Sequence, residues 1–277
     1  MVIMGFKYHY IYVITVIAHI NMSEPTPARP ASEFAASIAS APASPSAPAT
    51  ALVVGGTGGL GAALVQVLQG NAQYSHVLSL GRSTQPALDY ANEASLAQCA
   101  QWLALQCAGA PLRTVIVATG YLHSAGVGPE RSWSQLDAAY LQQVMLVNAI
   151  GPALLVKHLA PLLARDRVTR WAMMSAKVGS IGDNALGGWY GYRASKAALN
   201  QIVKTTAIEM TRRSKLSVCV AIHPGTMATP LSDPFSKTGL NVRPADVAAS
   251  EILQVVHALQ PPQTGGFFDY QGAPLPW

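Results

Sequence analysis

The chain has 277 residues, half of them apolar and 11% charged, which excludes an intrinsically disordered composition and leaves room for one large α/β domain with an appendage. Its formal net charge of +5 comes from dispersed Lys and Arg, so no nucleic-acid partner is expected; the densest run, TRRSK at 211–215, suits the C-terminal end of a helix. Three cysteines without CxxC (Cys99, Cys107, Cys219) and seven histidines without HExxH offer neither a disulfide framework nor a metal site, and the sparse odd count fits a reducing, cytoplasmic setting.

Residues 1–50 differ in character from the rest. YIYVITVIAHI at 10–20 is apolar but about half the ~20 residues that a spanning helix needs. It makes a poor signal peptide, with one flanking lysine (Lys7) and no small-x-small site close behind. No stable membrane insertion is expected of it; a weak membrane or export segment is the alternative. Residues 23–50 are rich in Ala, Ser and Pro and read as a disordered arm. The simplest account starts translation at Met22 and makes 1–21 a start-site artefact. The intact mass of protein from its native source is then expected to lack residues 1–21, and a mass including Met1 overturns this.

From Ala51 to Trp277 strands and helices alternate. ALVV at 51–54 reads as a strand, GGTGGLG at 55–61 as a glycine turn, and AALVQVLQG as a helix that closes at Gly70. Glycine permits positive φ and close backbone approach, and the amides opening the next helix suit a pyrophosphate. The fingerprint itself stays ambiguous: Gly56, Gly58 and Gly61 fit GxGxxG, Gly55, Gly58 and Gly61 fit GxxGxxG, and Gly55, Gly59 and Gly61 fit GxxxGxG. The next strand, HVLSLGRS, ends at Gly81-Arg82, where an NAD site usually carries an acid; none occurs before Asp89. Arg82 presents a planar cation suited to a 2′-phosphate, so NADP(H) is favoured and NAD(H) is the alternative.

TVIVATG at 114–120 follows as a strand. Residues 134–164 form a helical stretch with a break near Gly151-Pro152, and RWAMMS at 170–175 is a strand. YRASKAALNQIVKTTAIEMTRR is a helix, LSVCVAIHPG a strand ending in a turn, PADVAASEILQVVHAL a helix opened by Pro244, and GGFFDY a last short strand. The alternation predicts a single-domain, Rossmann-type, doubly wound parallel sheet with helices on both faces and its ligand at the carboxyl ends of the strands.

WYGYRASKAALN at 189–200 holds two tyrosines and one lysine. On a helix Tyr192 and Lys196 stand at i and i+4 on one face, while Tyr190 points elsewhere. A phenol with a pKa near 10 is too weak an acid for neutral pH, and a nearby ammonium is expected to lower it. Spacing therefore selects Tyr192, although a Tyr and a Lys merely sharing a helix face is the competing reading.

Six pieces in order change the balance: GGTGGLG, ATG at 118–120, Asn148 in VNAIGP, a serine stretch at 175–180, YRASK, and HPGTMAT at 223–229. With them, residues 51–277 resemble the short-chain dehydrogenase/reductase family. VGSIGDNALGGWYGYRASKAALN and GGFFDYQGAPLPW are similar to its branch of C-factor-like proteins and sniffer-type carbonyl reductases. The resemblance implies that Tyr192 exchanges the proton, that Lys196 tunes it and holds the nicotinamide ribose, and that Asn148 interrupts a helix and holds a water. It assigns the coenzyme to Gly55, Thr57, Gly58, Gly59, Leu60 and Gly61, with Arg82, Asp89 at the adenine, Ala118 and Gly120, besides Asn148, Tyr192 and Lys196. The turn Pro224, Gly225 and Thr229 meets the carboxamide and phosphates, and His223 is structural.

One position departs from the family. The serine expected near the substrate carbonyl is Ala176, and Ser175 is the expected substitute, ahead of Ser180. TPLSDPFSKTGLNV, between Thr229 and Val242, stands where the family keeps its substrate lid and is short. The expectation is an NADP(H)-dependent carbonyl reductase or alcohol dehydrogenase, acting on a small carbonyl or alcohol and assembling as a homodimer or homotetramer. The alternative is an NADP-binding sensor or signalling protein of C-factor type with little or no turnover.

Overall fold

The computed structural model describes residues 48–124, 126–228 and 242–277. The expected N-terminal arm up to residue 47, the Met22 start, Thr229 and nearly all of the lid segment lie outside the described residues.

Six strands form one parallel sheet: β1 (Thr50–Val54), β2 (His76–Leu80), β3 (Leu112–Val117), β4 (Thr169–Met174), β5 (Ser217–His223) and β6 (Phe267–Asp269). Their order is β2-β1-β3-β4-β5-β6, so the chain reverses direction across the sheet between β1 and β3. That switch point opens a crevice at the strands' carboxyl ends. Among the described residues the sheet stops at β2, and the side chains of Val77 and Leu78 there are only partly buried.

The helices are α1 (Gly59–Gln69), α2 (Glu93–Gln106), α3 (Ala138–Met145), α4 (Gly151–Leu159), α5 (Tyr190–Arg213) and α6 (Ala245–Ala258). Alternate strand residues feed two cores. Ala51, Val53, Ile116, Val218 and Val220 meet α1 and α6 through Leu64, Leu68, Ile252 and Val256. Leu52, Val54, Val115, Trp171 and Cys219 meet α2, α4 and α5 through Leu103, Leu155, Leu199 and Val203. The runs of fully buried β-branched and aliphatic residues in β1, β3 and β5 reflect this two-sided cover.

The elements follow the sequence pattern with two differences. The sequence pattern predicts no element over residues 93–106, and they form α2. The Asn92 side chain accepts from the Ala94 amide, and Leu96, Cys99 and Leu103 are buried at i, i+3, i+7 spacing. The signal is a narrow apolar stripe diluted by Ala and Gln. The stretch from 134 divides into a 3₁₀ turn (Trp133–Gln135), α3, a π turn over Leu146–Ile150, and α4.

Gly151 opens α4 against the ring of Tyr90: an added Cβ would lie 2.3 Å from its Cγ. The Tyr90 hydroxyl bonds Thr119 Oγ1 at 2.9 Å, which braces the segment after β3. Gly151→Ala is expected to destabilise the fold by about 1–3 kcal/mol through overpacking, read as a lower urea midpoint at unchanged slope.

Candidate active site

Helix α5 carries the reactive pair. Tyr192 and Lys196 stand one turn apart and are 9% and 3% exposed, whereas Tyr190 is 39% exposed. This separates the two tyrosines as the spacing did. The Lys196 Nζ lies 5.8 Å from the centre of the Tyr192 ring and donates to the Met174 carbonyl at 2.8 Å, at the end of β4.

The expected lowering of the phenol pKa by Lys196 is not what the free protein has. Burial raises Tyr192 to about 12 and lowers Lys196 to about 8. Both charged forms are disfavoured by desolvation, and the ammonium is directed at a carbonyl rather than at the phenolic oxygen. Tyr192 is therefore a neutral hydroxyl at physiological pH.

Asn148 is fully buried in the π turn. Its Oδ1 accepts from the Tyr121 amide at 2.8 Å; its Nδ2 donates to the Tyr121 carbonyl at 2.8 Å and to Ser195 Oγ at 3.0 Å. Ser195 Oγ donates to the Tyr192 carbonyl at 2.8 Å. The side chain thus ties the loop after β3 to α5, and the helix break bears on the Asn148 backbone oxygen. In an α-helix that oxygen would accept from residue 152, but Pro152 has no amide to give. The break was legible at Gly151-Pro152, and the π turn is its form.

The Ser175 hydroxyl is buried and donates to Asn200 Oδ1 at 2.6 Å, while its amide pairs with the Ile222 carbonyl. Ser180 Oγ is held by the Trp277 carbonyl and the Asp183 amide, both at 3.1 Å. Ala176 packs beside Tyr192, together with Leu122, Tyr140 and Val144, so a methyl group stands where the family serine was expected and the Ser175 proton is directed at Asn200.

The glycine turn joins β1 to α1. Gly55 has φ +86°, and an added Cβ there would meet Thr119; one on Gly61 would lie 2.0 Å from the Gly55 carbonyl oxygen. Gly58 caps α1 without a side-chain bond, and the first turn has no acid, so the amides of Gly59, Leu60 and Gly61 present an uncompensated positive end. The Thr57 hydroxyl lies at Gly81, next to the exposed Arg82. Asp89 is exposed, its Oδ1 taking the Ala91 amide at 2.9 Å. Ala118 and Gly120 follow β3 on the same edge, and Pro224 and Gly225 (φ +71°) follow β5.

Sequence reasoning missed Arg243 and Glu130. The Arg243 guanidinium stacks 3.4 Å from the Tyr270 ring centre and donates to the Pro224 carbonyl and to Glu251, bracing the Pro224–Gly225 turn. Nothing local marks it, since its partners come from three separate segments. His223 is held neutral by burial, with a pKa lowered to about 4.

Residues 49–239 match the short chain dehydrogenase family. The chain belongs to the short-chain dehydrogenase family. Among curated members it is similar to the C-signal of Myxococcus xanthus, 33% identical over 157 residues that make up 56% of this chain and 90% of that protein. Among solved structures it is similar to the carbonyl reductase Sniffer of D. melanogaster, with a TM-score of 0.71, 23% identity, and 82% of this chain and 99% of that one covered. It is also similar to the NADPH-bound carbonyl reductase from chicken fatty liver, with a TM-score of 0.72, 22% identity and coverage of 84% and 95%. The two structural likenesses establish the fold.

The unfolded chain holds the Lys196 proton up to about pH 10.5, and the folded chain releases it near 8. More protons are then bound unfolded between those values, so this residue makes the folded state more stable as pH rises through the window. Urea unfolding from pH 7.5 to 10.5 is expected to show a gain in the wild type relative to Lys196→Met; parallel curves would refute the assignment.

Proposed function

We propose that this family member is an NADP(H)-dependent oxidoreductase that interconverts a carbonyl and an alcohol, with Tyr192 as its general acid and base. The observation that carries the reading is the buried Tyr192–Lys196 pair at the carboxyl ends of the strands, beside a helix whose N-terminal amides no side chain caps.

The residues present fit a dinucleotide. The turn from Gly55 to Gly61 is too close-packed for side chains at Gly55 and Gly61, and the buried Ser79 Oγ beside Gly56 has no partner among the described residues. The α1 amides with Gly58, Gly59 and Leu60 would hold the diphosphate. Arg82 with Thr57 would hold a 2′-phosphate, and Asp89, Ala118 and Gly120 would line the adenosine half. Lys196, Pro224 and Gly225 would hold the nicotinamide half, with Thr229 as a further expected contact. NADP(H), when bound, supplies or accepts the hydride. The NADPH named with the chicken enzyme supports the choice of phosphorylated coenzyme.

The chain's own residues supply the proton and the geometry. In the reducing direction the neutral Tyr192 hydroxyl donates to the substrate oxygen as negative charge develops there. Lys196, whose ammonium is weakened by burial, favours the resulting phenolate. The Asn148 backbone oxygen offers a route for a water that returns the proton. With a methyl group at Ala176, the donor that the family serine would add is absent, and Tyr192 remains as a donor on that oxygen. A single donor of this kind is worth about 2.7–4 kcal/mol in a transition state, so slower turnover than a serine-bearing homologue is expected.

Tyr192→Phe is expected to lower carbonyl reduction by about 10²–10⁴-fold while leaving NADPH binding unchanged, checked by turnover and by quenching of tryptophan fluorescence. Arg82→Ala is expected to weaken NADPH by about tenfold or more and leave NADH unaffected, as loss of one charged hydrogen bond dictates. Ala176 and the likeness to C-signal favour a second reading, an NADP-binding signalling protein without turnover. Tight NADPH binding by wild-type protein inactive toward a broad carbonyl panel would select it.

A further inference from the structure

Helix α5 starts in an unusual way. Trp189, the residue before its first turn, lies in the left-handed region at φ 52°, and no side chain of its own caps the helix. The cap comes from elsewhere in the chain. Both carboxylate oxygens of Glu130, a residue 3% exposed and 61 positions earlier, lie 3.2–3.3 Å from the Gly191 amide. The Glu130 carbonyl takes the Trp189 amide at 2.5 Å. Gly188, at φ +65°, lies close enough to the backbone of Glu130 and Arg131 that an added Cβ would sit 3.4 Å from each carbonyl oxygen. From the other side the Arg193 guanidinium holds the carbonyls of Val178, Gly187 and Gly188.

A buried carboxylate needs compensation, and the first turn of a long helix offers it as unpaired amides and the positive end of the dipole. Here that first turn includes Tyr192. Gly191 packs between Tyr140, Leu141 and Val144. Tyr140 is itself fixed by donating to the Leu122 carbonyl at 2.9 Å. Burial, and after it the Glu130 charge, raise the Tyr140 pKa and keep that hydroxyl protonated. Glu130 therefore contacts the start of α5 and bears on the support beneath it, while bonding neither the phenol nor the lysine.

We propose that Glu130 is a positioning residue for Tyr192: its carboxylate on the Gly191 amide sets the start of α5 and so places the phenol against the reacting carbonyl. As a role in turnover, this rests on the oxidoreductase reading. A displacement of about 1 Å at a reacting group can cost about 10²-fold in rate without weakening binding. The loss is thus confined to kcat, and an acceptor that still reaches the Gly191 amide rescues it.

The test compares wild type with Glu130→Ala and Glu130→Gln. Glu130→Ala is expected to lower kcat at least about tenfold while KM and the NADPH Kd stay within about twofold, and Glu130→Gln, which keeps an amide oxygen in reach, is expected to recover most of kcat. In coenzyme-free protein, hydrogen exchange at the Gly191 amide is expected to speed up at least about tenfold in the Ala variant and little in the Gln variant. If the Ala variant does not fold, Glu130→Asp replaces it, withdrawing the oxygens by one methylene with the same expected loss. Unchanged kcat and exchange in the Ala or Asp variant overturn the proposal, as does NADPH binding that falls in step with kcat. If the wild type binds NADPH yet reduces no carbonyl, the oxidoreductase reading fails and the catalytic role falls with it. The exchange comparison still decides whether Glu130 fixes the start of α5.

Discussion

An α-helix turns about 100° per residue, so the rotation at which α5 is packed decides which of its side chains face the sheet. The observed rotation turns Tyr192 and Lys196 inward together and leaves Tyr190 at the surface. Turning the helix by one residue's angle would carry the phenol away from the crevice. The structure sets this phase at both ends of the first turns: Glu130 and Arg193 pin the segment before the helix, and Lys196 is tied to the end of β4 through the Met174 carbonyl.

Burial is the other half of the design. It costs an ammonium its solvation and pushes a phenol away from ionising, which is why Lys196 falls to about 8 and Tyr192 rises to about 12. A buried pair so arranged stores a proton on the tyrosine and weakens the lysine's hold on its own. The neighbouring polar groups are bonded in a chain from the Tyr121 backbone through Asn148 and Ser195 to the Tyr192 carbonyl. The same chain links the loop after β3 to α5, so Tyr192 and the segment at the switch point are held by one network. The methyl group of Ala176 then leaves a gap in polarity beside the phenol that neither Ser175 nor Ser180 fills.

The coenzyme side obeys a simpler constraint. β1 and β3 are paired neighbours whose following connections leave in opposite directions across the sheet, and the glycine turn lies at that switch point. Side chains at Gly55 and Gly61 would collide with Thr119 and with the turn's own carbonyl, so the tightness of the turn accounts for both glycines. The sheet ends at β2, which leaves Arg82 at its open edge.

Much was determined by the sequence alone. Short apolar, β-branched runs and glycine punctuation marked the six strands. The i, i+4 spacing chose Tyr192 over Tyr190, and Gly151-Pro152 announced the broken helix, because these depend on local backbone geometry. Helix α2 escaped because its apolar stripe is thin, although Asn92 with Leu96, Cys99 and Leu103 spelled it out. Tertiary structure alone decided that Ser175 bonds Asn200 instead of facing Tyr192, that Arg243 braces Pro224, and that Glu130 caps α5. Each is a contact between residues distant along the chain, and its existence depends on the angle at which two packed elements meet. No local spacing encodes that angle.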